Sequence, residues 1–506
     1  MAVITKSLDA NAIASATSVS IKQKNQQTAA TLRPEKIVCI GQAASSKTVD
    51  TNVLVLGTGN ADDVGVQFGF GSPLHRMARK LYPKAGNGSK VDTYFMAVPA
   101  VDSAVAEVKT ITVALDSDGI KKSFNGYVLM RDMIFEAAAD VAGKVATNAN
   151  NNPAKSPRGT DLNAFETTKY PFSITKDMTD AQAAAALKNA LEDYLELPFT
   201  MSISNEVITL TAKWLGADGA FDLSIVDEKG DALTTTEHGI TMTVAETTAG
   251  VGVGAIPNAA LAQMDDELGV TRVVSQYSNT NVLDALKEKF EAFHDGLIAQ
   301  YVLCYSAIKA PESSGKVDVA TLISSGNARR DDSINVQIFG DYGDLQKLEY
   351  FQRNQLLKAG YSNLVHKNDG SYRLMDLVTF YHPQGKQNPL FRFDRDVTCI
   401  ANVCYDFMNT FRDSDEWKSV ILISENDITT NPAARSLKDI KAAVNKRIGL
   451  LGIAGIIANY KEAQKETQVE IDSNNPNRVN INPYMDLSGV GRIFDLTNFI
   501  GFYFGG

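Results

Sequence analysis

The chain has 506 residues, which is enough for two to four domains with a large core. Charged residues make up 21% of the chain and apolar residues 44%, a composition that excludes an intrinsically disordered protein. The net charge of -10 argues against broad binding of nucleic acid, because phosphates would be repelled, although it leaves room for a local basic patch.

The amino terminus is predicted to be an extended arm. Residues 1–32 are polar and rich in Thr, Ser and Gln, and within them Thr17–Gln23 alternates in the manner of a short strand. The segment lacks the apolar core of a secretory signal, and no window approaches the roughly 20 apolar residues of a membrane span. We therefore expect synthesis in the cytoplasm and no insertion into a membrane.

Residues 33–107 are predicted to begin an α/β body. Apolar runs bounded by turn formers are typical of buried strands, and three occur here: Glu35–Gln42, Asn52–Gly57 and Val91–Pro99. Between the last two, a helix is predicted with Ser72 as its cap and Pro73 at its first position. The alternation of strand, helix and strand indicates α/β packing.

Residues 108–255 are predicted to form a β-rich domain inserted into this body. Strand-like stretches separated by Gly, Asp and Asn turns fill the segment. One helix interrupts them, because Thr179 and Gln182 have the spacing of a capping box. The apolar stripe predicted for that helix is Leu187, Leu191, Tyr194 and Leu195. A Gly/Ala-rich linker, Glu246–Ala260, ends the segment.

The α/β pattern resumes over residues 256–425, with a strand at Thr271–Tyr277 and a helix that ends near Gly296.

Residues 426–506 follow as a separate carboxyl-terminal region. It contains a helix with an apolar face formed by Leu437, Ile440, Val444 and Ile448. Basic residues occupy much of the rest of this helix: Arg435, Lys438, Lys441, Lys446 and Arg447. In a chain of net negative charge this helix is either a solvated face or a docking surface for an acidic partner.

The chain ends in an apolar, β-prone run, Asn498–Gly506, at a position where most proteins fray into solvent. An ordered terminus of this kind needs a sheet to join. If that sheet belongs to the same chain, the run is a last strand; if it belongs to a neighbour, the chain is a building block of a polymer.

No catalytic, cofactor or metal site is predicted. Gly57 and Gly59 follow a strand as in a dinucleotide fingerprint, but Asp62 stands at the third glycine position and no helix is predicted to open there. The five histidines are scattered, and none pairs with another at helical spacing: His75, His238, His294, His366 and His382. The four cysteines are predicted to be buried free thiols: Cys39, Cys304, Cys399 and Cys404.

Two other classes of function stay open at this point. One is an α/β enzyme that binds a nucleotide at the Gly57/Gly59 turn. The other is a β-rich adhesin or carbohydrate-binding protein, suggested by the inserted domain and by Trp214.

An ordered set of motifs resembles the Mu-like tail sheath proteins of contractile bacteriophages. The stretches that carry the resemblance span nearly the whole chain: IVCIGQ, Asp62–Met77, Leu348–Val365 with Asp369–His382, and Asn475–Pro483 followed by the terminal apolar strand. The sequence departs from the family pattern in two places, with Tyr361 where Ile is frequent and Phe380 before Tyr381 where Thr is common. Both departures concern packing.

The resemblance implies an α+β or α/β multidomain subunit without catalytic activity or cofactor. It implies stacked hexameric rings around a tail tube, which contract to drive the tube through the host envelope during genome delivery. The implied partners are other copies of the chain, the tube protein, and the baseplate and tail-terminator or neck proteins, in a virion assembled in the host cytoplasm. Arms from both ends would add strands to neighbouring subunits, through Thr17, Val19 and Ile21 at one end and Phe499, Phe502 and Phe504 at the other. The α/β body would lie near the tube with the β-rich domain outward, and the basic helix is predicted to face the tube.

Overall fold

The structure is a computed structural model, and it describes most of the chain. The described residues are 30, 33–82, 91–130, 168–221, 223–265, 268–277, 279–294, 303–305, 334–338, 349–359, 363–366, 372–376, 378–379, 391–412, 414–417 and 419–489.

Helices and sheets are both present, so the chain is of the α+β type that the sequence predicts. The strands are β1 Lys36–Gly41, β2 Leu54–Leu56, β3 Asp92–Ala97, β4 Val108–Leu115, β5 Phe124–Met130, β6 Thr168–Ile174, β7 Phe199–Ser204, β8 Val207–Ala212, β9 Leu223–Asp227, β10 Ile240–Thr248, β11 Arg272–Ser275, β12 Leu303–Tyr305, β13 Ile334–Ile338, β14 Asn363–His366, β15 Tyr372–Asp376, β16 Ile421–Leu422, β17 Ala434–Arg435, β18 Ile457–Ala458, β19 Gln468–Ile471, β20 Val479–Asn482 and β21 Asp486–Leu487. The helices are α1 Ala61–Phe68, α2 Pro73–Leu81, α3 Asp180–Glu192, α4 Thr235–His238, α5 Asn258–Ala262, α6 Thr280–His294, α7 Tyr350–Lys358, α8 Asp394–Phe411, α9 Leu437–Ile453 and α10 Tyr460–Glu466. None of these helices is long and apolar enough to span a membrane.

The described residues divide into two compact units. One, here called the body unit, comprises 34–401, and the other, the C-terminal unit, comprises residues up to 33 together with 402–489.

A five-stranded sheet organises the first part of the body unit, in the order β12-β11-β1-β3-β2. Strand β1 is parallel to both β3 and β11, and β12 is parallel to β11, whereas β2 is an antiparallel edge strand. Parallel strands of this kind are buried on both faces, which is why β1 reads as the continuous apolar run that predicted it.

Helices cover both faces of this sheet. On one face, Ile37, Cys39 and Phe95 pack with buried residues of α1 and α2. On the opposite face, Val38 and Ile40 pack with α5 and α6. The sequence predicts the start of α2 correctly, since Ser72 accepts a hydrogen bond from the backbone N–H of His75 and Pro73 occupies the first turn.

All of the β-rich segment, β4 to β10, lies in the chain between β3 and β11 of that sheet. It forms a four-stranded sheet in the order β10-β4-β8-β7 and a three-stranded sheet in the order β6-β5-β9. Side chains from both sheets share one core with helix α3, which has the predicted capping box of Thr179 and Gln182. We call residues 105–251 the β module, because Val105 and Val251 pair through their backbones where the segment leaves and rejoins the body.

Two sequence expectations about these elements are wrong. A helix does open after Gly59, since α1 begins at Ala61 with Asn60 as its cap and Asp62 and Asp63 in its first turn. Leu195 is not part of the apolar stripe of α3, because the helix ends at Glu192 and the Leu195 side chain is 56% exposed.

Candidate assembly surfaces

The terminal arms cannot be placed, because Thr17, Val19, Ile21, Phe499, Phe502 and Phe504 all lie outside the described residues. Their roles remain predictions. The C-terminal unit contains two candidate surfaces for assembly.

The first surface is the hairpin formed by β19 and β20. The two strands pair antiparallel with Val469 opposite Ile481 and Ile471 opposite Val479, and among the described residues they pair with no other strand. Each strand therefore presents an outer edge of main-chain N–H and C=O groups. An isolated two-stranded ribbon is only marginally stable in water, and further strands or a packed helix are needed to stabilise it.

The hairpin is amphipathic. Because side chains alternate between the faces of a strand, the four apolar residues Val469, Ile471, Val479 and Ile481 share one face. Strand β19 lies against α9, but Ile471 is still 43% exposed. The apolar face is therefore only partly covered within the described chain.

The second surface is the solvent side of α9. Ser436 and Asp439 form a reciprocal capping box that fixes where the helix begins. The opposite side of the helix is buried through Ile440, Val444, Ile448 and Leu451. Helical periodicity then leaves Lys438 and Lys446 exposed and Lys441 half-buried on the remaining arc, and none of the three forms an ion pair with a described residue.

Two of the five basic residues predicted to face a partner do not belong to this arc. Arg435 precedes the helix in β17, and its half-buried guanidinium donates to the backbone oxygens of Pro432 and Ala434. Arg447 is buried, with 3% of its surface exposed, so the prediction that it faces a partner is wrong.

Arg447 instead belongs to a buried ion pair that the sequence did not reveal. Its Nε donates to Oδ2 of Asp406 at 2.7 Å, and its terminal nitrogen donates to the other carboxylate oxygen. Asp406 is fully buried in α8. A signal was available, because Arg447 follows Val444 by three residues and precedes Leu451 by four, which places it on the apolar face of the helix.

The turn at Gly57 and Gly59 has the wrong surroundings for a nucleotide. It follows the antiparallel edge strand β2, whereas dinucleotides bind at the carboxyl ends of parallel strands. The amino terminus of α1 is already occupied, since Asn60 caps it and Asp63 accepts a hydrogen bond from Thr58. A phosphate bound here would be repelled by the carboxylates of Asp62 and Asp63.

The aromatic residue proposed for carbohydrate stacking is also unavailable. Trp214 is 3% exposed and lies in a segment that packs on the body. A buried indole offers no face to a sugar ring, so Trp214 gives the adhesin hypothesis no support.

Two of the predicted buried thiols are confirmed and one is not. Cys39 and Cys399 are buried and form no disulfide among the described residues, and burial raises the pKa of the Cys39 thiol far above its usual value. Cys404 is free but exposed, because it lies on the outer side of α8. The side chain of Cys304 lies outside the described residues.

One cluster in the β module has the donor types of a metal site. Asp227, Glu237 and His238 bring ligand atoms within 4.8 Å of one another. The His238 Nε2 atom lies 3.5 Å from Asp227 Oδ2, and Oδ1 of the same carboxylate accepts from the backbone N–H groups of Lys229 and Asp231. Because the Asp227 carboxylate already orders its own turn and lies against the His238 ring, these contacts account for the arrangement without a metal.

Comparison with known proteins gives matches among solved structures. A sheath tail protein from Desulfitobacterium hafniense matches at 12% identity with a TM-score of 0.44, over 93% of this chain and 96% of that one. A sheath tail protein from Listeria innocua matches at 9% identity with a TM-score of 0.41, over 92% and 94% of the two chains. The helical sheath of the anti-feeding prophage in its contracted state matches at 10% identity with a TM-score of 0.36, over 96% and 99%.

All three are sheath proteins. At these identities and TM-scores the matches assign this chain neither a family nor the role of any residue. No protein-family model matches the chain, and no curated protein sequence matches it.

Proposed function

We propose that this chain is a structural, non-enzymatic subunit of a contractile tail sheath. In this proposal the subunits stack as hexameric rings around a tail tube, and their contraction drives the tube through the host envelope during genome delivery. The partners are other copies of the chain, the tube protein, and the baseplate and tail-terminator or neck proteins. The particle is a virion tail assembled in the host cytoplasm.

The observation that carries the proposal is the open-edged hairpin of β19 and β20. Strand addition to such an edge supplies main-chain hydrogen bonds, each worth about 1 kcal/mol net. An added strand also extends the apolar face of the hairpin and shields its rim from water. The hairpin is thus an acceptor that a strand from another copy would complete.

Both ends of the sequence supply strands of the matching type. Thr17, Val19 and Ile21 alternate with polar residues, whereas the carboxyl-terminal run is apolar on one side at Phe502 and Phe504 and aromatic on the other at Phe499 and Tyr503. A strand with one apolar side can extend the apolar face of the hairpin while its polar side faces solvent. The predicted donor strands and the proposed acceptor hairpin therefore occur in the same chain, which favours a polymer of identical subunits.

The second contact of the proposal is between α9 and the tube. Lys438, Lys441 and Lys446 form no ion pair with a described residue, although Lys438 lies near Asp439 and the chain as a whole is acidic. Unpaired cations on a well-capped helix can complement an acidic surface. The α/β body would then lie near the tube and the β module would face outward.

Electron microscopy of the purified full chain tests the proposal. We expect hollow cylinders of stacked rings, formed by the chain alone or together with its tube protein. A chain that stays monomeric at every protein concentration, with and without the tube protein, would contradict the proposed function.

A further inference from the structure

One short segment of the β module is hydrogen-bonded to the body along its length, and the Leu197 carbonyl of the module also packs against Gly71 of the body. Two covalent connections join the module to the body as well. The connections lie side by side, with reciprocal backbone hydrogen bonds between Val105 and Val251. Their close approach needs glycine at Gly252, which has a φ of +110° and where a Cβ would lie 2.9 Å from Ala104. The short segment is Lys213–Asp218, which follows β8.

The body contacts this segment along its length. At its beginning, the backbone N–H of Ser45 donates to the Lys213 carbonyl at 2.6 Å. In its middle, the side chain of Gln42 bonds both polar groups of the Leu215 backbone, donating to the oxygen at 2.8 Å and accepting from the nitrogen at 3.3 Å. At its end, the Gln276 amide donates to the Asp218 carboxylate.

The body side of this contact is rigid. Gln42 and Gln276 follow the central strands β1 and β11, and both are buried. Gln276 Oε1 accepts from the backbone N–H of Gln42 at 2.6 Å, and Gln42 Nε2 donates to the Tyr277 hydroxyl at 3.0 Å. The amide ends are therefore held in place before the segment docks.

The segment also carries two charged groups in poorly hydrated positions. Lys213 Nζ donates to the carbonyl oxygens of Phe70 in the body and Leu195 in the β module, at 2.9 and 2.8 Å. Asp218 has one oxygen bonded to Gln276, and its carboxylate is buried beside the Trp214 indole. Undocking the segment would return both groups to water.

We infer that Lys213–Asp218 is a releasable latch that fixes the β module to the body sheet, and that Asp218 determines how firmly it holds. When the latch opens, the β module stays attached through the paired connections at Val105 and Val251, which act as a hinge. This inference concerns the single subunit and does not depend on the proposed function.

The charge state of Asp218 gives the latch a pH dependence. Burial raises the pKa of Asp218 to about 6, against the opposing effect of the donors on Gln276 and Trp214. The groups that face it are these two, the Tyr277 phenol, and the backbone of the segment itself. A raised carboxyl pKa means that the docked state favours the neutral acid, so the latch holds best at low pH and weakens as the pH rises towards 6 and above.

Lys213 acts in a separate range. Burial lowers its pKa to about 8, so the docked state favours the neutral amine and the latch tightens again only as the pH rises above that value. Between about pH 5 and pH 7.5 the lysine stays mainly charged, and Asp218 dominates the change. Near neutrality both groups are charged, which is the weakest state of the latch.

Amide hydrogen exchange on the purified full chain tests this latch. We compare protection factors of the Ser45 and Leu215 amides, which the latch bonds, with that of Leu210 in the central strand β8. From about pH 5 to about pH 7.5 we expect the opening constant reported by Ser45 and Leu215 to rise roughly tenfold, and that of Leu210 to change less. The substitution Asp218→Asn should abolish the rise and leave the latch amides better protected at the higher pH.

Asp118→Asn, an exposed carboxylate in the same β module, is the matched control and should retain the wild-type response. The inference is overturned if the wild-type protection factors of Ser45 and Leu215 do not fall with pH, or if Asp218→Asn keeps the full response. It is equally overturned if the latch amides exchange only together with Leu210, because the segment would then have no opening of its own. The wild-type pH series alone can overturn the inference, even if the Asp218→Asn variant does not fold.

Discussion

At the scale of single residues, the Arg447–Asp406 pair shows the largest difference between the sequence prediction and the structure. Counting charge along the sequence assigned Arg447 to a basic surface. Its position three residues after Val444 and four before Leu451 assigns it to the buried face, and the structure agrees with the second rule. The partner, Asp406, lies 41 residues away in the chain, a separation that no local pattern bridges.

Removing one member of this pair should be costly. Arg447→Ala removes the cation that is bonded to both oxygens of the buried Asp406 carboxylate, and we expect the free energy of unfolding to fall by about 3–5 kcal/mol. Replacing both groups with apolar residues, Asp406→Leu with Arg447→Met, should recover most of that loss. Urea unfolding of the three proteins measures these changes, and a single variant as stable as the wild type would refute the buried pairing.

At the scale of elements, the sequence predicts what depends on neighbouring residues. The capping residues of α2 and α3, the continuous apolar strand β1 and the apolar face of α9 follow from local spacing. The sequence fails where an element depends on distant contacts. Helix α1 is a different case, because its signals are local: Asn60 caps it, and Asp62 and Asp63, which count against a helix in the sequence analysis, stabilise the positive end of its dipole.

The α9 surface gives a prediction at this scale. Reversing the charge of Lys438, Lys441 and Lys446 to Glu should stop the sheath forming on tubes, because the three cations would become repulsive towards an acidic partner. Folding should be unaffected, since none of these side chains is buried or ion-paired among the described residues. Co-sedimentation with tubes and thermal unfolding provide the two measurements.

The matched control reverses three exposed lysines of the β module, Lys122, Lys176 and Lys229, to Glu. It makes the same change in net charge on a surface proposed to face away from the tube. Loss of tube binding in both triple variants would point to net charge alone, and normal binding by the α9 variant would exclude the helix as the tube contact.

At the scale of the whole molecule, we propose that strands of one copy pair with strands of another. Among the described residues, β19 and β20 pair only with each other, and we propose that this hairpin accepts the strands that the sequence predicts at both ends. The sequence predicts donor strands at both ends, because an apolar or alternating run is a local pattern; these predictions lie outside the described residues. It could not identify the acceptor, because an open edge is defined by the strands that fail to pair with it. A mesh of exchanged strands would keep subunits connected while their larger surfaces repack.

Deleting Asn498–Gly506 tests this central claim most directly. The truncated chain should fold with an unchanged thermal midpoint, since the deleted residues would serve a neighbouring copy, and electron microscopy should show no cylinders under conditions in which the full chain forms them. Cylinders of normal length and diameter from the truncated chain would contradict the account.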